Sequence, residues 1–529
     1  MNLEYRREPT WPAHAWLAAC LPDRIVVSHG SAVETCASWF GEVVWDGPFD
    51  EGDFDRTDIV AGSGGRLRDG AMTFVPAANT VDRLQSITIP AGDGADSTTL
   101  ISNSLACFLA VAGARVSPHY RHYRRDLRSV IKGLRKYKRS LETSRGAASF
   151  WYFDNVRWEG RTLQRVDKPD PDRDYSGFEQ YHTFLRGTMD RVTRNAAAPS
   201  RRSPLGLMGT MSSGYDSTTV STIASGFGLR EYLTLDRARE HDVDSGIVAG
   251  DALGLRPIPV EREAWRRRQL PEVPFLTGDA QAQDRFLLGA AQHLRGKLLL
   301  TGFHGDKVWG KSPYGPDSLV PHPELKRGDP SGLSMTEFRL SAGFVHCAVP
   351  FWGARHIHKL VAISRDPSMK PWDVPGDYSR PICRRIVESA GVPREAFGRK
   401  KLAGSVLDNV LSDSSRPDYR AWCDRHGIEG EFADRVIRRA IRALPTTAAR
   451  MLRRMFYNDR TPTFRDYFFP WALERQGEVY RRPTRAPGHD VAREQTHGST
   501  ARAGSSYNGP VGGGARAIPG TEAVDRAKQ

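Results

Sequence analysis

Residues 204–217 read Pro204-Leu-Gly-Leu-Met-Gly-Thr-Met-Ser-Ser-Gly-Tyr-Asp-Ser217, and Thr218-Thr-Val-Ser-Thr-Ile-Ala-Ser225 continues to Gly226. A short apolar run enters a Ser/Gly turn, and the residues beyond it carry a helix that Gly226 ends. The expected local structure is a strand, a tight hydroxyl-lined loop and a helix N-terminus. Such a loop offers free backbone N–H groups and the positive end of the helix dipole, and together these form an anion cradle. Ser212, Ser213 and Ser217 add hydroxyl donors, and Gly214 permits close backbone approach. Asp216 is placed to hold a magnesium ion on bound phosphates. No G-x-x-x-x-G-K-[ST] occurs, so the loop is not of the Walker type.

Outward from this loop, strand-like and helix-like segments alternate. Glu231-Tyr-Leu-Thr-Leu235 reads as a strand and Asp242 to Leu253 as a helix closed by Gly254. Arg256-Pro-Ile-Pro-Val260 is extended, Ala280 to Arg295 is helical, and Gly296 leads into the apolar strand Leu298-Leu-Leu300. This alternation predicts an α/β fold, a parallel sheet with helices on both faces. Ligands in such sheets bind beyond the carboxyl ends of the strands, which is where Thr301-Gly-Phe-His-Gly-Asp-Lys-Val-Trp-Gly310 falls. Two carboxylates, Asp216 and Asp306, converging on one phosphate-bound metal are chemically sensible.

These motifs carry a resemblance. Ser212 to Ser217, S-S-G-Y-D-S, resembles the pyrophosphate loop S-G-G-x-D-S of the N-type ATP pyrophosphatases, with Ser213 at a position usually Gly. Thr301 to Gly310 resembles the S-G-E-G-A-D-E-L-F-G segment of the asparagine synthetases and the matching loop of the β-lactam and carbapenam synthetases. The resemblance implies an adenine nucleotide α-hydrolase-like synthetase domain that uses ATP and Mg2+. By it, Ser212, Ser213, Gly214, Asp216, Ser217, Thr301 and Gly302 would bind ATP and pyrophosphate, and Asp216 and Asp306 the metal. Phe303 and Lys307 replace the two glutamates of the segment, which argues against plain ammonia-to-aspartate chemistry.

In the β-lactam synthetases a tyrosine near this place works with a later glutamate. Glu337, in Met335-Thr-Glu-Phe-Arg339, is the candidate here for proton removal from an attacking amine; the alternative is a surface ion pair with Arg339. Gly343-Phe-Val-His-Cys-Ala-Val-Pro-Phe-Trp-Gly353 resembles the family's G-V-E-x-R-V-P-F-L-D, with His346, read first as a packed core residue, at the glutamate. Gly398-Arg-Lys-Lys401 falls at the family's R-x-K, so Lys401 would stabilise charge as the acyl-adenylate forms and collapses.

The chain has 529 residues, 39% hydrophobic and 26% charged, the balance of a globular protein with room for several domains. No run approaches the ~18 apolar residues of a membrane span, the first residues are polar and unlike a signal peptide, and the six cysteines are scattered without a C-x-x-C pair. A reduced, cytoplasmic compartment is expected. The net charge of +14 is partly concentrated in Arg121 to Arg145, where ten Lys/Arg residues are interleaved with Tyr123 and Tyr137. A solvated helix face is the first reading of that run and a nucleic-acid partner the second.

Residues 1–168 alternate short apolar runs with Gly/Asp-rich turns, as a mixed, mostly β domain does. The resemblance places a glutaminase (Ntn-type) domain there, but residue 2 is Asn2 and the first cysteine is Cys20, so the nucleophile is missing and the domain reads as degenerate. Residues 169–182 form a connector, 183–480 the synthetase-like domain, and 481–529 a tail expected to be disordered. The resemblance implies an AMP-forming amide synthetase, an ATP-dependent carbon–nitrogen ligase without its own glutaminase. It would join a small-molecule or peptide carboxylate to an amine or ammonia. Asparagine synthesis and a non-catalytic ATP- or nucleic-acid-binding protein are the alternatives.

Overall fold

The computed structural model describes residues 1–90, 97–238, 243–278, 282–311, 325, 330–376, 378–400, 402, 404–406, 411–429 and 464–481, with 436, 439, 441, 443–445, 447, 448 and 451. The described residues belong to one compact unit, and the expected tail from 482 onward lies outside them. Among the described residues the fold is mixed α/β with three sheets, one of them wholly parallel. Among the described residues no helix is long and apolar enough to cross a membrane.

The first 166 residues supply thirteen strands: β1 (Asn2–Arg7), β2 (Trp16–Cys20), β3 (Arg24–His29), β4 (Glu34–Thr35), β5 (Trp39–Trp45), β6 (Val60–Arg68), β7 (Ala71–Val75), β8 (Leu84–Ile89), β9 (Thr98–Ser102), β10 (Ser140–Thr143), β11 (Gly146–Trp151), β12 (Asn155–Trp158) and β13 (Leu163–Val166). They form a seven-stranded sheet, β1-β3-β2-β9-β8-β11-β10, and a six-stranded sheet, β13-β12-β7-β6-β5-β4. The sheets share an apolar core in which Trp16, Ala18 and Ile101 meet Phe40, Phe74 and Val156. The period-two pattern of β3, with Ile25 and Val27 buried between more exposed neighbours, is what one buried face requires.

The basic segment is not one long helix. It folds as the helix Tyr123–Leu127, a 3-10 turn Arg128–Lys132 and then β10. Its tyrosines are engaged in packing. Tyr123 is buried against Phe469 with ring centroids 4.9 Å apart, and the buried Tyr137 donates its hydroxyl to the Phe150 carbonyl at 3.1 Å. Neither ring is left to stack on a base.

The parallel sheet comprises β14 (Gly206–Met211), β15 (Glu231–Leu235), β16 (Arg256–Val260), β17 (Lys297–Thr301) and β18 (Val345–Ala348), in the order β16-β15-β14-β17-β18. Both faces are covered. Leu298 and Leu300 join the core that contains Val220 and Ile223 of the helix Asp216–Ser225, whereas Leu299 between them joins the core containing Leu287 and Leu294. This is why Leu298-Leu-Leu300 is continuously apolar rather than alternating. The chain leaves β14 toward β15 and returns on its other side at β17, so a topological switch lies at the carboxyl ends of β14 and β17.

Two expected helices are shorter than the sequence suggests. In place of 242–253 there is a helix Ile247–Ala252, with Gly254 in left-handed backbone (φ 64°) just beyond it; Asp242 lies outside the described residues. In place of 280–295 there is a 3-10 segment Arg285–Ala290 and a single turn Ala291–Leu294. Gly289 sits in that stretch against Ala264, where a Cβ would approach to 3.2 Å. Close packing there favours a residue that supports helix poorly.

A buried ionic cluster ties the region of the first two sheets to the parallel-sheet region. Arg339 Nη1 lies 2.8 Å from Glu42 Oε2 and its Nε 3.1 Å from Asp82 Oδ1, and Thr336 donates to Asp82 at 2.9 Å. The side chains of Arg339, Glu42 and Asp82 are 1%, 0% and 3% exposed, so no water competes for these bonds.

Candidate functional site

A cavity of about 410 Å³ opens at the carboxyl ends of β14, β15 and β17. Its wall includes Ser212, Gly214, Asp216, Ser217, Thr301, Gly302 and Asp306, so the structure brings these seven expected residues together. Apolar groups from Met211, Leu233, Leu235, Val260 and Phe286 share the lining with Asp244, Asp284 and Arg380. The mixture of apolar wall and few convergent polar groups is that of a small-molecule site.

The two loops are pressed together. A Cβ added at Gly302 would lie 2.5 Å from the Ser217 nitrogen, and one at Gly305 would lie 2.6 Å from Asp216 Cγ. No side chain fits at either place, so the glycines set the distance between the two strand ends. His304 takes the left-handed backbone (φ 75°) at the position where the resembling segment has Gly. Its ring is buried and stacks on Phe351 with centroids 4.6 Å apart, a packing contact that offsets the backbone strain.

The first loop is ordered by its own hydroxyls. Ser212 Oγ accepts from the Gly214 N–H at 3.1 Å and lies 3.1 Å from Ser217 Oγ, and Thr218 Oγ1 donates to the Ser212 carbonyl at 2.8 Å. Ser213 does not line the cavity. It has no left-handed backbone, so its Cβ is accommodated, and its N–H and hydroxyl donate to Asp244 Oδ1 at 3.1 and 2.7 Å. Burial pushes the Asp244 carboxyl up, and the two Ser213 donors pull it back in part.

Sequence reading missed a cation that pairs with Asp216. Arg380, on the segment that enters the helix Pro381–Ser389, forms an ion pair with Asp216 inside the cavity. Burial alone would depress the Arg380 guanidinium, but the Asp216 carboxylate, with Cys383 and Tyr378 beside it, holds it above its ordinary value. Nothing in the local sequence marks Arg380, because its partner is 164 residues away. The second acid also carries a cation, with Lys307 Nζ 3.1 Å from Asp306 Oδ2.

Lys401 lies outside the described residues. The run that leads to it is docked on the loop: the Gly398 N–H donates to the Ser213 carbonyl at 2.8 Å, and a Cβ on Gly398 (φ 67°) would meet the Tyr215 ring at 2.4 Å. Tyr215 is held from its other end by Arg384, whose Nη2 donates to the tyrosine oxygen at 2.8 Å.

Glu337 requires a correction. It does not line the cavity, and it is not a surface partner of Arg339. On the helix Thr336–Ala342 its carboxylate points to the N-terminus of the helix Leu105–Ala112, accepting from Ser104 Oγ at 2.8 and 2.9 Å and from the Ala106 N–H at 3.3 Å. An anion there is favoured by the free N–H groups and the helix dipole. Burial raises its carboxyl, and the Ser104 and Ala106 donors offset part of the rise. His346 is fully buried, as a core histidine, with Nε2 2.8 Å from the hydroxyl of Thr301.

Among the described residues no three His, Cys, Asp or Glu side chains form a metal cluster. Asp216 and Asp306 on one cavity wall do suit a magnesium ion that takes its remaining ligands from phosphate and water, the usual mode for that ion. No family model matches this chain, and no curated protein matches it significantly.

Proposed function

We propose that the protein is an AMP-forming amide synthetase, an ATP- and Mg2+-dependent carbon–nitrogen ligase of the asparagine synthetase type, acting on a carboxylate and an amine. The observation that carries this reading is the contact of the two glycine-bearing loops, which sets Asp216 and Asp306 on one cavity wall beside the start of the helix Asp216–Ser225. On this reading the parallel-sheet region is an adenine nucleotide α-hydrolase-like domain, and residues 1–168 are a degenerate Ntn-type domain kept for structure.

Bound ATP would supply the adenylyl group that makes an otherwise inert carboxylate reactive, with Mg2+ neutralising the phosphates. The chain's own residues do the rest. Ser212, Gly214 and Ser217 hold the pyrophosphate portion through hydroxyl and N–H donors. Asp216 and Asp306 hold the metal, Arg380 and Lys307 balance negative charge, and the apolar lining from Leu233, Leu235 and Phe286 takes the base. Thr301 and Gly302 fix the near edge, Thr301 through its hydrogen bond to His346.

The test is magnesium-dependent exchange of labelled pyrophosphate into ATP, run with pools of small-molecule and peptide carboxylates. Exchange with one pool, lost in Asp216→Ala and Asp306→Ala, is expected. Absence of both exchange and ATP binding overturns the reading.

A further inference from the structure

The two acids assigned to the metal are each already held by a cation of the same chain. Asp216 is paired with Arg380, and Asp306 with Lys307 at 3.1 Å. We propose that Arg380 and Lys307 act as internal counter-ions, so that a divalent cation enters only together with the phosphate groups that draw these two cations off the acids. The inference rests on reading the cavity as a phosphate site.

The argument is electrostatic. A divalent ion arriving alone at Asp216 and Asp306 would sit beside a guanidinium and an ammonium in a part-buried cavity, where like charges repel more strongly than in bulk water. Arg380 cannot retreat easily. Its side chain is 7% exposed, and its guanidinium carbon lies 5.4 and 5.8 Å from the ring centroids of Tyr378 and Tyr215. When a phosphate anion arrives with the metal, the same guanidinium and ammonium gain new acceptors, and the acids are released to the metal. Metal and phosphate therefore favour each other's binding, and by linkage the coupling is mutual. Arg380 is a positioning residue in this scheme, since it sets when Asp216 is available.

The test is titration of the full-length protein with Mn2+, followed by its electron spin resonance, with and without saturating inorganic pyrophosphate. In the wild type, pyrophosphate should raise Mn2+ affinity at least about tenfold, within the usual range of coupling between two ligands. Arg380→Met should raise the pyrophosphate-free Mn2+ affinity several-fold and shrink the coupling, a gain that a merely structural role would not produce. Arg380→Lys should restore the wild-type pattern, and Lys307→Met should repeat the gain if Arg380→Met fails to fold. Equal Mn2+ affinity with and without pyrophosphate, or no gain in either methionine variant, overturns the inference while leaving the phosphate site intact. Failure of pyrophosphate to bind at all overturns both.

Discussion

Arg339 and Arg380 are both buried guanidiniums facing carboxylates, yet they sit in different kinds of place. Arg339 holds Glu42 and Asp82 between the region of the first two sheets and the parallel-sheet region, with all three side chains at most 3% exposed. Arg380 holds Asp216 on a cavity wall, where the carboxylate is 22% exposed and a ligand can compete for it. The chemistry of the pair is the same; access decides whether it fastens the fold or waits for a substrate. A charge that nothing can reach is structural, and one that lines a cavity is available for function.

The comparison breaks most sharply on stability. Arg339→Met leaves two buried carboxylates without their cation and should cost about 3–5 kcal/mol in urea unfolding. Arg380→Met should cost clearly less, because Asp216 is left facing the cavity. Equal losses would erase the distinction. Next in size is the effect on ligand. Asp216→Asn should lower affinity for Mg·ATP at least about tenfold, or roughly 1.4 kcal/mol. Its unfolding free energy should fall by less than that of Arg339→Met, because only one ion pair is lost and it borders the cavity.

Glu337→Gln sharpens the contrast further. The folded-state pKa of Glu337 is raised above its unfolded value by burial, so its contribution is present at low pH and is lost as pH rises through the raised value. The glutamine variant should remove that part of the pH dependence in the unfolding curve. It should also leave pyrophosphate exchange unchanged, because the side chain is away from the cavity. Loss of exchange in a folded Glu337→Gln protein would return Glu337 to the mechanism.

The smallest effect at neutral pH is that of His14, packed near Gly343, which caps the helix of Arg339. Burial, then Arg339 and Arg201, push its imidazole down to about 3 from the ordinary 6.5. A depressed histidine contributes stability above its unfolded value that is lost as pH falls from 6.5 toward 3. His14→Gln should therefore unfold with less acid sensitivity in that window, measured by thermal melts across pH.

The parallel sheet was legible because its strands announce themselves locally. Leu298-Leu-Leu300 is apolar on both faces, and Gly206–Met211 runs straight into a Ser/Gly loop and a helix. The cavity wall was legible to the extent that its residues lie on those two loops. What was not legible depends on distant contacts. Arg380 meets Asp216 across 164 residues, and Asp244 meets Ser213 across 31. Glu337 was misread through its neighbour Arg339. Residues two apart on a helix do not face each other, and that spacing already argued against their pairing. The tyrosines of the basic segment suggested a binding surface, but their rings went into the core under the helix Phe468–Arg481, far along the chain.

The central claim is that the cavity binds the triphosphate of ATP through the Ser212–Ser217 loop and a shared metal. Calorimetric titration of Mg·ATP into the full-length protein, repeated with inorganic pyrophosphate as competitor and with Mg2+ removed by chelation, tests it most directly. Binding that pyrophosphate displaces, and that weakens when Mg2+ is removed, is the predicted result. Absence of ATP binding, or binding that neither pyrophosphate nor Mg2+ removal affects, would contradict it.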